Sequence, residues 1–311
     1  MKLNSQRTIM VKTAAEIKEL LFNHKNDLGF ILGNGINLHY QKDNVSWYNL
    51  LLNLWKTHAD EPMDEIPEGI SFIEFYDALG LQNVTQSGFS TQLQKDVKAK
   101  MLDWQPDDAQ NLILDNIKSF NAPILTTNFD DLIPKSMKLA PHRIPNTSFT
   151  DHYPWATYYA NNELNSPLDG FGVWYMNGMV KYHRSIKLGL SEYMGNVERA
   201  RKMINNNYGY IPNNKTNPWV QNNTWIDIIF NKSLCIFGLS LDETEVFFRW
   251  LLIQRAKFFK RFPKYSHKAW YIMKAEDKNP KMVGKKFFLK SVGIEVIEVE
   301  NYSVLYEDIW K

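Results

Sequence analysis

Residues 28–37 read LGFILGNGIN, an apolar run that passes directly into a short loop containing two glycines. A short apolar run closed by glycine is typical of a buried strand. After this loop Ser46 can cap a helix, because apolar residues recur at helical spacing over Trp47–Leu54. The stretch therefore predicts the order strand, glycine-containing loop and helix.

The same order recurs along the chain. Further strands are predicted at Pro123–Leu125, Phe171–Met176, Ser233–Phe237, Lys268–Met273 and Gly293–Val299. Helices are predicted at Ala14–Asn23, Asp107–Phe120 and Glu243–Phe259. Short apolar runs that alternate with amphipathic helices indicate a parallel sheet with helices on both faces. The predicted fold class is therefore α/β, a Rossmann-like parallel sheet with a small helical insertion lobe.

The chain has 311 residues, enough for one large domain or two modest ones. We expect a single domain over residues 1–311. Two segments break the alternation: residues 56–106 are polar and mixed, and residues 205–223 are dense in Asn and contain Pro212 and Pro218. We expect these to be insertions that form a small helical lobe and a surface loop.

The composition excludes several classes of function. Hydrophobic residues make up 44% of the chain and aromatic residues 14%, as in a packed globular protein. Lys and Arg number 36 against 34 Asp and Glu, so the net charge of +2 favours neither a nucleic-acid partner nor a membrane surface. The single cysteine, Cys235, excludes a disulfide framework and a four-cysteine zinc site, and we expect no bound metal.

The sequence also predicts a compartment. Residues 1–16 contain no apolar core of a secretory signal, and no apolar run approaches the roughly 18 residues of a transmembrane helix. With one thiol and no export signal, the cytoplasm is the expected location.

Three polar clusters follow predicted strands, where the ligands of doubly wound sheets bind. In the first, Gly33-x-Gly35 allows backbone N–H groups to approach a pyrophosphate, with the next helix N-terminus also facing the anion. The third glycine of a dinucleotide fingerprint is replaced by Leu38. The alternative is that these glycines only make a tight turn.

In the second cluster, Thr127-Asn128-Phe129-Asp130 places an amide and a carboxylate two residues apart. The amide of Asn128 could hold a ribose hydroxyl or a water, and Asp130 could stabilise positive charge on a sugar ring. The alternative is that Asn128 and Asp130 or Asp131 cap the next helix.

The third cluster is Gly238-Leu239-Ser240-Leu241-Asp242. Its glycine and hydroxyl could contact a nucleotide ribose or phosphate. Ser240 followed by Glu243 also predicts a capping box, which is compatible with ligand binding.

Six motifs occur in a defined order: 33–37, Ser46-Trp47, 127–130, an aromatic strand ending in Asn177-Gly178, Leu190-Ser191-Glu192-Tyr193, and 238–242. In this order they resemble the sirtuin superfamily, and they are most similar to the zinc-free bacterial sirtuin-like domains of anti-phage defence systems, many of which consume NAD. The resemblance runs from Leu28 to the C-terminus.

The resemblance implies hydrolysis of NAD to nicotinamide and ADP-ribose, as the effector that depletes NAD in abortive infection. It implies that Asn128, Asp130 and Asn177 are the catalytic positions. It implies that the ligand is held by Gly33, Asn34, Gly35, Asn37, Thr127, Gly238, Ser240 and Asp242. Such an enzyme needs control, so we expect a partner protein from the same operon, or self-assembly, as the activator.

One position departs from the family pattern. The family has His-Gly where this chain has Asn177-Gly178, and that histidine is the general base. Asn cannot accept a proton at neutral pH, which weakens a mechanism that needs a base there. His183 and His39 are the alternatives considered for this role. Nicotinamide leaves a cation as a neutral group, so leaving-group protonation is not obligatory.

The departure leaves a second function open. The chain could be a catalytically impaired module that binds NAD or ADP-ribose and scaffolds a partner. Protein deacylation is the least favoured reading, because the zinc module of those enzymes cannot be built from Cys235 alone.

Overall fold

The computed structural model describes residues 11–41, 46–83, 87–208, 219, 221–275 and 280–311, with residues 206–208 described by their backbone only. The strands are β1 Leu28–Leu32, β2 Ile124–Thr126, β3 Ala140–Arg143, β4 Thr157–Ala160, β5 Val173–Tyr175, β6 Ser233–Phe237, β7 Ala269–Lys274 and β8 Glu295–Val299. The α-helices are α1 Ala14–Asn23, α2 Gly35–Tyr40, α3 Trp47–His58, α4 Phe72–Gln82, α5 Phe89–Met101, α6 Asp108–Lys118, α7 Leu132–Ser136, α8 Leu190–Tyr208, α9 Ile226–Asn231, α10 Val246–Arg261 and α11 Pro280–Ser291. Short 3-10 turns span Lys25–Asp27, His183–Ser185 and Pro263–Tyr265, and a π-helical segment spans Val304–Asp308.

The strands form one sheet of eight in the order β3-β4-β5-β2-β1-β6-β7-β8. Pairing is parallel from β5 through β8, whereas β4 runs antiparallel to both of its neighbours. The chain builds outward from β1 in both directions, with β2 on one side and β6 on the other. This arrangement confirms the predicted α/β, Rossmann-like class.

Apolar side chains cover both faces of the sheet, because successive residues of a strand point to opposite sides. In β1, Phe30 and Leu32 pack in the cluster that contains residues of α1, α2, α6 and α7. Ile31 packs in the opposite cluster, which contains residues of α8, α9, α10 and α11. Burial on both faces explains why these strands have continuous apolar sequences.

A third apolar cluster lies in the segment between β1 and β2. Helices α3, α4 and α5 pack around Leu54, Phe75 and Val97, and Phe129 and Ile186 from the main body join them. Ser46 caps α3 by accepting a hydrogen bond from the Asn49 N–H. The predicted surface loop 205–223 lies largely outside the described residues.

The sequence did not predict β3 and β4. β3 is largely exposed and contains Pro141, so it has no apolar run to identify it. β4 is buried, and no predicted element covers it. None of the described helices has the length and apolar composition needed to cross a bilayer.

Candidate functional site

A cleft of about 550 Å³ opens at the carboxyl ends of the central strands. Its walls include loop residues that follow β1, β2, β5 and β6 and the last residues of β7. In open α/β sheets this edge, at the point where strand order reverses, is where ligands bind. The volume is in the range of small-molecule sites.

The cleft brings most of the predicted site residues together. Those that line it are Asn34, Gly35, Thr127, Asn128, Asp130, Asn177, Gly238, Ser240 and Asp242. Gly33 and Asn37 are described residues that do not line it.

The glycines of the first loop hold it against the loop that follows β6. The Gly33 N–H donates to the Phe237 carbonyl at 3.1 Å, and the Gly35 N–H donates to the Gly238 carbonyl at 2.7 Å. A Cβ at Gly35 would lie 2.9 Å from the Gly238 Cα. Glycine is therefore required here by the close approach of two loops. These two N–H groups are occupied within the protein, so a pyrophosphate would have to be bound by other donors.

Asn37 lies behind the cleft wall and is 0% exposed. Its Nδ2 donates to Asn34 Oδ1 and to Asp130 Oδ2, both at 3.1 Å. Its Oδ1 accepts a hydrogen bond from Gln110 Nε2 at 2.9 Å. Asn37 thus links the loop after β1 to the loop after β2. It does not line the cleft itself, but it holds Asn34 and Asp130, which do.

Asp130 is buried, and both of its carboxylate oxygens are occupied. Oδ1 accepts from the Leu132 N–H at 3.0 Å at the start of α7, and Oδ2 accepts from Asn37. Burial raises the pKa of Asp130 to about 6, with the negative charge of Asp131 adding to the shift. Asp130 therefore bonds the first residue of α7 without being its N-cap, which is Asp131 and makes no side-chain capping bond, and it also lies in the cleft wall.

Asn128 makes no capping contact with its side chain. Its backbone N–H donates to Thr126 Oγ1 at 3.1 Å. The residue is 7% exposed, yet its side-chain Nδ2 has no hydrogen-bond partner within the described part of the chain. A buried, unpaired amide costs about 1–3 kcal/mol and is uncommon in native proteins. Because Asn128 lines the cleft, this unpaired donor needs only a small movement of its side chain to meet a ligand.

Asn177 lies at the end of β5 in the cleft wall and is buried. Its carbonyl accepts from the Lys187 N–H at 3.0 Å. Gly178 has a φ of 105°, and a Cβ there would lie 2.6 Å from the Ile186 backbone nitrogen. This glycine is therefore required by the turn that holds Asn177 in place.

Neither alternative histidine reaches the cleft. All seven histidines fall within the described residues, and none lines it. His39 Nε2 lies 3.0 Å from Glu307 Oε1. His183 lies near α5, where partial burial and the charges of Lys98 and Lys95 lower its pKa.

The loop after β6 differs from the prediction. Helix α10 begins at Val246 rather than at Glu243, and the capping box of Ser240 and Glu243 is not formed. Instead, Ser240 Oγ donates to Asp242 Oδ2 at 3.1 Å. Asp242 Oδ1 accepts from the Thr244 N–H at 3.0 Å and from its hydroxyl at 2.6 Å. Asp242 holds the chain in a turn, so the helix starts later.

This later start places Glu245 in the cleft wall, a position that the sequence reasoning missed. Its carboxyl is partly buried. Burial and the neighbouring charge of Asp242 raise the pKa of Glu245 to about 7. The predicted helix Glu243–Phe259 includes Glu245, so the sequence gives no sign that this residue lies at a strand-end site.

Aromatic and cationic residues complete the cleft. The helical lobe contributes an apolar wall of Trp47, Tyr48, Phe72, Met101 and Trp104. Beyond β7 and β8, the Tyr302 and Tyr306 rings lie 6.0 Å apart at 21°, and Lys274 Nζ lies 5.1 Å from the centre of the Tyr302 ring. Amphipathic rings and a cation of this kind suit a base and a phosphate.

In comparisons with known proteins, no protein-family model and no curated protein matches the chain. Across the residues that the structure covers, no group of three His, Cys, Asp or Glu side chains could hold a metal ion. The fold and cleft define an α/β protein with a Rossmann-like sheet and a strand-end site.

Proposed function

We propose that the cleft binds NAD and hydrolyses the bond between nicotinamide and ribose, releasing nicotinamide and ADP-ribose. The observation that carries this proposal is the unpaired Nδ2 of Asn128, a buried donor in the cleft wall. It suits a ribose hydroxyl or an attacking water, which is the role that the sirtuin resemblance implies.

Asp130 supplies the charge that this reaction needs. Cleavage of the glycosidic bond passes through an oxocarbenium-like state, in which positive charge spreads over the ribose. With a pKa of about 6, Asp130 is mostly ionised at neutral pH. Its two hydrogen bonds, from Asn37 and Leu132, fix the carboxylate before the substrate arrives, so little reorganisation is needed in the transition state.

Other cleft residues are assigned to the pyrophosphate and adenosine parts of NAD. Asn34 and Thr127 face the cleft from the loops after β1 and β2, and Ser240 and Asp242 face it from the loop after β6. Tyr302 suits the adenosine end. Because the Gly33 and Gly35 N–H groups are occupied, we assign the pyrophosphate to Lys274 and to the side chains of Asn34 and Thr127, with Ser240 and Asp242 on the adenosine side.

The biological role rests on the sirtuin resemblance. We propose that the chain acts in the cytoplasm as an NAD-depleting effector of bacterial anti-phage defence. Hydrolysis of the cell's NAD must wait for infection, so a partner protein from the same operon, or self-assembly, is the proposed control.

A second function is favoured by a specific observation. Asn177 lies where the family has its base, and no histidine lines the cleft. A chain without a base could bind NAD or ADP-ribose and support a partner without turning it over.

One experiment separates the two functions. The purified chain is incubated with NAD, alone and with the product of the neighbouring gene, and nicotinamide is measured by chromatography while NAD affinity is measured by calorimetry. Hydrolysis predicts equal amounts of nicotinamide and ADP-ribose. Binding without nicotinamide in either incubation supports the scaffold and excludes the enzyme.

A further inference from the structure

Three carboxylates line the cleft among the described residues: Asp130, Asp242 and Glu245. Both oxygens of Asp130 accept hydrogen bonds, from Leu132 and Asn37. Both oxygens of Asp242 are likewise occupied, by Ser240 and Thr244. Both carboxylates are therefore already engaged in contacts that hold their loops.

Glu245 differs from these two. It is the N-cap residue of α10, but Glu is not among the residues that favour this position, and its side chain makes no capping hydrogen bond. Its carboxylate also has no hydrogen bond to any other described side chain or backbone group. A structural role as a cap therefore does not explain its place in the cleft wall.

The surroundings of Glu245 connect it to the catalytic side of the cleft. Tyr193 on α8 is buried, lines the cleft and lies close enough that the Glu245 charge adds to burial in raising the phenol's pKa. Helix α8 follows the loop in which the Lys187 N–H donates to the Asn177 carbonyl.

We infer that Glu245 is the catalytic base of this cleft, taking the place of the histidine that Asn177 replaces; the inference rests on the proposed NAD hydrolysis. The Glu245 carboxylate accepts one proton from water as the water oxygen bonds to C1′ of the nicotinamide ribose. The C1′–N bond breaks, and its electron pair moves to the pyridinium nitrogen, so nicotinamide leaves as a neutral molecule. ADP-ribose keeps the hydroxyl, and Glu245 then releases the proton to solvent.

The titration of Glu245 suits this role. Its pKa of about 7 lies near working pH, where a base is both deprotonated and able to accept a proton. The groups facing it are Asp242 from the loop after β6 and Tyr193 from α8, with Glu243 and Arg249 nearby along its own segment. Arg249 is directed elsewhere, because its Nη1 donates to the Leu241 carbonyl at 3.1 Å.

The test compares wild type with Glu245→Gln, which keeps the side-chain size, and with Glu243→Gln, an exposed control outside the cleft. Nicotinamide release is measured from pH 5 to 9, with any activating partner present, and melting temperature and NAD affinity are measured in parallel. Glu245→Gln should lower kcat by about 10²–10⁴-fold with KM changed by about twofold at most. The value of kcat should rise as pH increases through 7 in wild type and in Glu243→Gln, but not in Glu245→Gln. Asp130 is present in all three proteins, so its ionisation does not explain a difference between them.

The possible results distinguish the role of Glu245 from the proposed NAD hydrolysis. Wild-type turnover in a folded Glu245→Gln variant overturns the base assignment and leaves NAD hydrolysis standing. A raised KM with unchanged kcat also overturns it, because Glu245 would then act in binding. A wild-type chain that binds NAD but never releases nicotinamide overturns the proposed function and the base assignment together.

Discussion

Asn128→Ala tests the most informative feature of the cleft, the buried amide without a partner. If this amide serves the substrate, the variant loses an oriented hydrogen bond at the reacting ribose. A preorganised donor of this kind is worth on the order of 10²-fold in turnover, or about 2.7 kcal/mol of transition-state stabilisation. NAD affinity should fall much less, by the roughly 1 kcal/mol of one neutral hydrogen bond.

The structure also predicts the effect on stability. The unpaired Nδ2 costs about 1–3 kcal/mol in the folded protein, and its removal recovers this cost. The loss of side-chain packing opposes that gain with a comparable magnitude. The free energy of unfolding of Asn128→Ala should therefore stay within about 1 kcal/mol of wild type.

Asn196→Ala is the matched control. Asn196 is also buried, and its amide nitrogen and oxygen lack partners within the described residues, but it does not line the cleft. Nicotinamide release and urea unfolding are measured for both variants. The reasoning predicts that Asn128→Ala alone loses turnover. Lower stability with normal turnover in Asn128→Ala, or an equal loss of turnover in both variants, would refute it.

Three further predictions follow from the geometry. Gly35→Ala brings a Cβ to 2.9 Å from the Gly238 Cα, so the unfolding free energy should fall by about 1–3 kcal/mol in urea titration; an unchanged midpoint would mean that the two loops can separate freely. Asn177→His should keep or raise turnover by adding a proton acceptor, and His183→Ala should leave turnover unchanged; an inactive, folded His183→Ala would place the base on that histidine. Burial raises the pKa of Asp130 from 3.8 to about 6, so the folded protein binds this proton more tightly than the unfolded chain, and the contribution to stability is fully present below pH 4 and lost as pH rises to 6. The unfolding free energy in urea should therefore drop from pH 4 to pH 7 by roughly 2.5 kcal/mol more in wild type than in Asp130→Asn, and equal differences would contradict the shift.

Burial on both faces made the central strands predictable, although the buried β4 was missed. β1 and β6 have continuous apolar sequences because clusters of helices cover each side, and the sequence alone locates them. β3 carries no such signal, because its residues face solvent at the edge of the sheet. Its pairing depends on β4, a tertiary contact that no local pattern of residues describes.

The convergence of the strand-end residues was predictable, but their detailed roles were not. Asn34 and Asn128 reach one cleft because parallel strands end at the same edge of the sheet. The sequence could not show that Asn37 turns behind the wall, since its direction depends on contacts with Gln110 and Asp130. Glu245 was missed because the turn held by Asp242 delays the start of α10.

If this cleft hydrolyses NAD with the help of Asn128, nicotinamide release depends on that side chain. A proton NMR time course of NAD with the wild-type chain, its activating partner and, in a parallel sample, Asn128→Ala tests it most directly. Free nicotinamide signals should grow with wild type and grow on the order of 10²-fold more slowly with the variant. No nicotinamide with wild type, or equal rates from both proteins, would contradict it.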